Sequence, residues 1–419
     1  MTALRAVSNP RRGAGGRGLL HRIRALAAAS AALSLCACVV APEPPPRLGI
    51  VPARFADLPG WSEDRHAEAM PAFAETCARL RLLPPDRPLG GGEAVVTRAG
   101  RVADWLPLCA EAGRLPRGDD RAARDFLERN FRPWLAQNVT PQPPNPFGTF
   151  TGYFEPELAG SRTRRGPGQV PLLRRPPDLV AVDLGEFAPD LAGRRTAGRV
   201  VEGRLVPYAS RGEIERGALD GRNLELLWLD DPIEAFFLHI QGSGRVRLAE
   251  GGLVRVGFAG QNGHPYVPIG RVLVERGQMT MDQISMQSIK AWLRANRAEA
   301  REVMRSNPSY VFFRELRGLD PAEGPPGSFG APLTPGRSIA VDPLHVPMGI
   351  PLWLSTRHPA NGAALRRVVL AQDTGGAIRG PVRGDLFWGW GEEAAEAAGR
   401  MNERGLWWFL LPASQAGSG

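Results

Sequence analysis

From Ser306 to Pro412 the chain alternates short apolar runs with turns rich in Gly and Pro. The runs are Val311 to Leu316, Ser338 to Val341, Leu352 to Ser355, Arg367 to Ala371 and Leu406 to Leu411. Each is too short for a stable helix, and Gly or Pro interrupts the chain before a longer element can form. Many short strands with few helices predict a small β-barrel. One helix, Glu392 to Met401, sits among them, and the residues after Pro412 read as a frayed tail.

Upstream the pattern is mixed. Ser62 to Leu83 has helical spacing of apolar residues, and Arg117 to Leu135 reads as a second helix with Asp119 and Asp120 near its start, where acids favour the helix dipole. The proline cluster Pro141 to Pro146 marks a boundary, after which Gly148 to Pro156 (GTFTGYFEP) alternates like a strand. Residues 160–260 read as short strands and turns. Ser210 to Glu213 is a capping box opening a short helix, and Asp231-Pro232 opens another, with Pro at its first position. In His239 to Leu248 (HIQGSGRVRL) a Gly-rich turn leads into a strand. Thr280 to Ser306 predicts one helix, started by a capping box of Thr280 and Gln283.

The formal charge of +9 first points to a polyanion partner. Six of the arginines lie within residues 1–37, which hold no acid, and the apolar stretch Ala25 to Ala37 follows them. That order is the signature of an export signal, too short to span a bilayer. Without it 46 basic residues face 43 acidic ones, a charge of +3, and the argument for nucleic acid disappears. Leu35-Cys36-Ala37-Cys38 resembles a bacterial lipobox with Cys38 as the lipidated residue. Val39 is not the Asp that retains lipoproteins at the inner membrane, so the periplasmic face of the outer membrane is the expected location. Residues 38–60 are then the lipid-anchored, Pro-rich stalk. Cys77 and Cys109 are the other cysteines. An oxidising compartment leaves both a disulfide and two buried thiols open.

The chain has no HExxH, no zinc-type Cys/His spacing and no GxSxG, which argues against a metal site or a serine nucleophile. Gly389 to Ala394 matches a loose dinucleotide pattern but lacks a βαβ context. Three acids stand out. Asp342 follows one apolar run, Asp373 ends another before Thr374-Gly375-Gly376, and Asp385 follows Arg383-Gly384. All three are expected at strand ends beside Gly or Pro. Asp385 precedes Leu386, Phe387 and Trp388, surroundings that would desolvate a carboxyl, raise its pKa and suit it to general-acid work.

SIAVDPLHVPMGIPLWL, AQDTGGAIRG and RGDLFWGWG resemble the three-aspartate 3D domain. TGYFEPELAGSR, FFLHIQGSGRVRL, VGFAGQNGHPYVPIG and NPSYVFFREL resemble the rest of the membrane-bound lytic murein transglycosylase A family. The likeness runs from about Gly148 to Pro412. It implies a mainly β fold with flanking helices: a six-stranded double-psi β-barrel, a smaller inserted β domain, and a groove between them. On that reading residues 61–150 and 258–419 form the barrel domain and 151–257 the insert.

The activity implied is that of a peptidoglycan lytic exotransglycosylase without cofactor or metal, cutting the β-1,4 bond between N-acetylmuramic acid and N-acetylglucosamine and leaving 1,6-anhydromuramoyl ends. The resemblance assigns the catalytic acid to Asp385 and a tuning partner to Asp373. Thr151, Tyr153, Gln241, Ser243, Thr374 and Asp342 fall in motifs expected to bind substrate, although Asp342 also suits a structural role. Glycan strands, the outer membrane and cell-wall synthesis proteins are the expected partners. Three other readings stand beside this one. Asp373-Thr374-Gly375 is an aspartic-protease triplet, but a pepsin-like chain needs two. A lipid-anchored murein-binding protein and a cellulase-like hydrolase are the remaining alternatives.

Overall fold

The computed structural model describes residues 45–188, 191, 194–320 and 322–415. In chain order the strands are β1 (Arg47–Pro52), β2 (Phe131–Val139), β3 (Gly148–Glu155), β4 (Glu157–Ser161), β5 (Val170–Leu173), β6 (Val180–Asp183), β7 (Arg195–Val201), β8 (Arg204–Pro207), β9 (Glu225–Leu229), β10 (Ser243–Leu248), β11 (Leu253–Gln261), β12 (Val311–Leu316), β13 (Ser338–Val341), β14 (Pro351–Arg357), β15 (Ala364–Asp373), β16 (Arg383–Trp390) and β17 (Asn402–Pro412). The longer helices are α1 (Met70–Leu80), α2 (Glu93–Ala99), α3 (Val102–Ala112), α4 (Asp120–Asn130), α5 (Pro232–Gln241), α6 (Ile269–Glu275), α7 (Met286–Ala295), α8 (Arg297–Arg305) and α9 (Gly391–Arg400).

Six strands close on themselves. β17, β14, β15, β13, β16 and β3 pair in that order, and β3 pairs back onto β17. The joints β13–β15 and β16–β3 are parallel, and the other four antiparallel. Closure leaves no free edge within the ring, and β2 and then β1 extend the sheet outward from β17. Phe150, Ile339, Leu352, Leu386 and Trp407 fill one continuous core with Phe73, Trp105 and Phe126 from α1, α3 and α4. Burying each such side chain contributes about 1.5–3 kcal/mol. A disulfide joins Cys77 of α1 to Cys109 of α3, which settles the pairing left open above.

Gly384 shows how tightly the ring is packed. A Cβ there would lie 2.6 Å from Ile339 Cδ1 and 3.1 Å from Phe150 and Trp407. The residue between Arg383 and Asp385 therefore faces the core, and period-two alternation turns its two neighbours to the other face.

A second sheet runs β12-β11-β10-β4-β9-β5, and β6, β7 and β8 form a separate three-stranded sheet. Leu172, Leu227, Leu238, Val246 and Val256 build the core of the six-stranded sheet, while Phe236, Leu273, Leu293 and Val303 bind α5 to α8 together. Where the two sheets meet, Glu155 at the end of β3 is fully buried between Arg245 of β10 and Arg255 of β11. The closest contacts are 2.8 Å from Arg245 Nε and 3.0 Å from Arg255 Nη2. Trp390 caps the cluster, with the Arg245 guanidinium 4.1 Å from its ring centre.

Several boundaries differ from the sequence reading. Arg47–Pro52, expected within the stalk, is β1, held by six residue pairs with β2 and with Leu48 in the core. The expected helix Arg117 to Leu135 stops at Asn130, because Phe131 and Pro133 enter β2. Thr280 to Ser306 is three pieces: a 3-10 turn at Met281–Gln283, α7 and α8, with Asn296 breaking the last two at φ −115° and ψ 54°. The second sheet also reaches beyond Gly257, since β12 pairs with β11 along Val311 to Leu316. Asp385, expected at a strand end, is the third residue of β16.

Candidate active site

β16 and β3 lie side by side in parallel, with Asp385 opposite Thr151 and Phe387 opposite Tyr153. Because residues two apart share a strand face, Arg383, Asp385 and Phe387 line up on β16 beside Thr151 and Tyr153 on β3. The Thr151 hydroxyl donates to Asp385 Oδ1 at 2.6 Å. The Tyr153 ring packs 5.2 Å from that of Phe387, and its hydroxyl donates to Asp373 Oδ2 at 2.8 Å. Asp373, the last residue of β15, also accepts from the backbone N–H of Ser328 at 2.8 Å and of Thr374 at 2.9 Å, both at Oδ1. Two of the sequence-predicted acids and two of the predicted binding residues thus form one cluster.

Burial raises both carboxyls, against different sets of partners. Asp385 keeps a partly exposed edge but is enclosed by protein, and that desolvation pushes its pKa up to about 6. The Thr151 hydrogen bond and the Arg383 charge pull it down, while the negative charge of Asp373 pushes it up. Burial also raises Asp373, against the pull of hydrogen bonds from Ser328, Tyr153 and Thr374. Burial and Asp373 together lift the Tyr153 phenol well above its ordinary value, so Tyr153 remains a donor.

The other predicted residues are more dispersed. Gln241 ends α5, and its Oε1 accepts from the Phe154 N–H at 3.0 Å, tying the second sheet's helix to β3. Gly242 follows in the left-handed region at φ 79°, and half-buried Ser243 opens β10. Thr374 serves Asp373 through its backbone. Asp342 is buried, and its oxygens accept from the N–H groups of Leu344 at 3.2 Å and Gly380 at 2.8 Å. It ties the chain at Leu344 to the chain at Gly380. Cys38 lies outside the described residues.

Sequence reasoning missed two contributors. Ser328 acts on Asp373 through its backbone N–H and its hydroxyl, from a Gly/Pro-rich turn 45 positions upstream. Arg383 donates from Nη2 to Thr151 Oγ1 at 2.8 Å, and its position two residues before Asp385 was the available signal.

Two family models match this chain. Residues 149–314 match the MltA specific insert domain and residues 337–411 match the 3D domain, so the chain is of the class that carries both modules. It is 34% identical over 356 residues to membrane-bound lytic murein transglycosylase A of Escherichia coli strain K12, covering 83% of each chain. A membrane-bound lytic murein transglycosylase structure from Agrobacterium tumefaciens superimposes with a TM-score of 0.75 at 34% identity, over 88% of this chain and 99% of that one. The E. coli MltA structure with bound chitohexaose gives a TM-score of 0.57 at 28% identity, over 88% and 95%. The chain belongs to the membrane-bound lytic murein transglycosylase A family.

Proposed function

We propose that this chain cleaves the β-1,4 bond between N-acetylmuramic acid and N-acetylglucosamine in peptidoglycan without water, with Asp385 as acid and then base. Protonated Asp385 gives its proton to the glycosidic oxygen as the C1–O bond breaks. The C6 hydroxyl of the same sugar closes on C1, and its proton returns to the Asp385 carboxylate. The product is a 1,6-anhydromuramoyl end, and the enzyme regains its starting protonation state. Attack within one sugar gains effective molarity, and a site closed to water suppresses hydrolysis.

The observation that carries this reading is the unequal pairing of the two acids. Hydrolases of the two-carboxyl type need a second carboxylate free to attack or to activate water. Here Asp373 is occupied by Tyr153, Ser328 and Thr374, which leaves Asp385 to act alone with a pKa near 6. The chitohexaose in the E. coli relative supports a glycan ligand. We further propose that Cys38 carries a lipid anchor on the periplasmic face of the outer membrane; among the described residues no helix is long and apolar enough to cross a membrane.

Digestion of purified sacculi with residues 45–419, followed by mass analysis, tests the chemistry. Anhydro ends are expected; products one water heavier overturn the reading. For the anchor, Cys38→Ser should move the protein from the outer-membrane fraction to the soluble periplasm.

A further inference from the structure

Arg383 is half-buried and joins both strands of the site. Its Nη1 donates to the carbonyls of Gly384 at 2.5 Å and Thr149 at 3.3 Å. Its Nη2 donates to Thr151 Oγ1 at 2.8 Å. With one arm held by backbone from β16 and β3, the guanidinium cannot swing away without losing both carbonyl contacts.

Donor counting then favours one place for a proton. A guanidinium has donors only, and a threonine hydroxyl has one proton and two lone pairs. Arg383 takes up one of the two lone pairs of Thr151, which leaves a single one to accept from elsewhere, and the hydroxyl proton points at Asp385 Oδ1, 2.6 Å away. An oxygen that accepts from Thr151 is the poorer place for the carboxyl's own proton, which goes to Oδ2.

We propose that Arg383 is a positioning residue that acts through Thr151: it aims the Thr151 proton at Asp385 Oδ1 and so makes Oδ2 the oxygen that delivers the proton to the glycosidic bond. The assignment rests on the reading of Asp385 as the acid. Arg383 has a second effect through charge. Its positive charge favours the carboxylate form, which is the form needed once the proton has left. The i, i+2 spacing of Arg383 and Asp385 puts both on one strand face, so a single strand supplies the acid and its regulator.

The test is a set of full-length variants assayed on purified sacculi for release of soluble anhydromuropeptides, with kcat and KM measured across pH and melting recorded for each. Arg383→Gln should lower kcat about tenfold with KM nearly unchanged and move the basic limb of the profile upward by about half a pH unit or more. Arg383→Lys keeps the charge but not the fork, so it should restore the limb while kcat stays low. Thr151→Val should cost kcat a similar factor, and adding Arg383→Gln to it should cost less than about twofold more.

Unchanged kcat and pH limb in folded Arg383→Gln would overturn the proposal. So would a full additional loss in the Thr151→Val background. If Arg383→Gln does not fold, Arg383→Lys decides, and wild-type kcat there sinks the relay. Asp385→Asn runs in parallel. If it is inactive while Arg383→Gln behaves as wild type, only the positioning role is lost; if it retains turnover, the reading of Asp385 fails first and this role falls with it.

Discussion

Asp373 and Asp385 are the same side chain on strands of one barrel, yet their surroundings divide the labour between them. Asp373 sits where a strand ends and two backbone N–H groups point inward, with hydroxyls of Tyr153 and Ser328 beside them. Asp385 sits inside a strand, where the ladder uses the backbone N–H groups, and receives one side-chain donor. Both are raised by burial, and hydrogen-bond donors pull each of them back. The comparison teaches that two carboxyls raised alike by burial can differ in how many of their oxygen lone pairs are already taken, and Asp385 keeps more of its own free to meet a substrate.

Each prediction strikes one side of this contrast. Asp385→Asn should reduce turnover about 10³-fold or more while murein binding and folding persist; pull-down on sacculi and a melting curve check both. Asp373→Asn should be milder, about ten- to a hundredfold in kcat. It also removes a negative neighbour, so the pKa of Asp385 should fall and the basic limb of the pH profile should move to lower pH. An upward move would break the contrast.

In the wild type the protonated fraction of Asp385 falls as pH rises through about 6, so kcat/KM should drop about tenfold per pH unit above that point. Tyr153→Phe takes one donor from Asp373 and should cost about 1–2 kcal/mol of stability, read as a lower melting temperature, with only a few-fold change in kcat.

The smallest effect is on stability. A raised carboxyl pKa means that ionising Asp385 costs the fold as pH climbs from the unfolded value of about 4 to about 6. Asp385→Asn should therefore melt about 2–4 °C higher than wild type at pH 8 and no higher at pH 3.

Much of the barrel was legible in the sequence, because its strands are bounded by Gly and Pro and alternate cleanly. Ser338–Val341 has the bounds expected from the residues alone. The acids were visible for a related reason, since Gly and Pro beside them marked close backbone approach. What escaped depended on distant partners. Thr151 meets Asp385 across 234 positions and Tyr153 meets Asp373 across 220, and no local pattern encodes such pairs. The extent of the second sheet escaped similarly, because β12 is assigned by its pairing with β11 and not by its own composition. Local propensity also overstated the helix from Thr280, where Asn296 ends one helix and begins another.

The ion cluster at Glu155 makes each of the two sheets depend on the other. Breaking such a buried arrangement by removing one partner costs about 3–5 kcal/mol, because a bare charge is left inside. Glu155 belongs to the barrel and both arginines to the other sheet, so neither sheet can open first without stranding charge in the other. Melting should then be a single cooperative event in calorimetry, and thermal damage should take the glycan-cutting strand and its neighbouring sheet together.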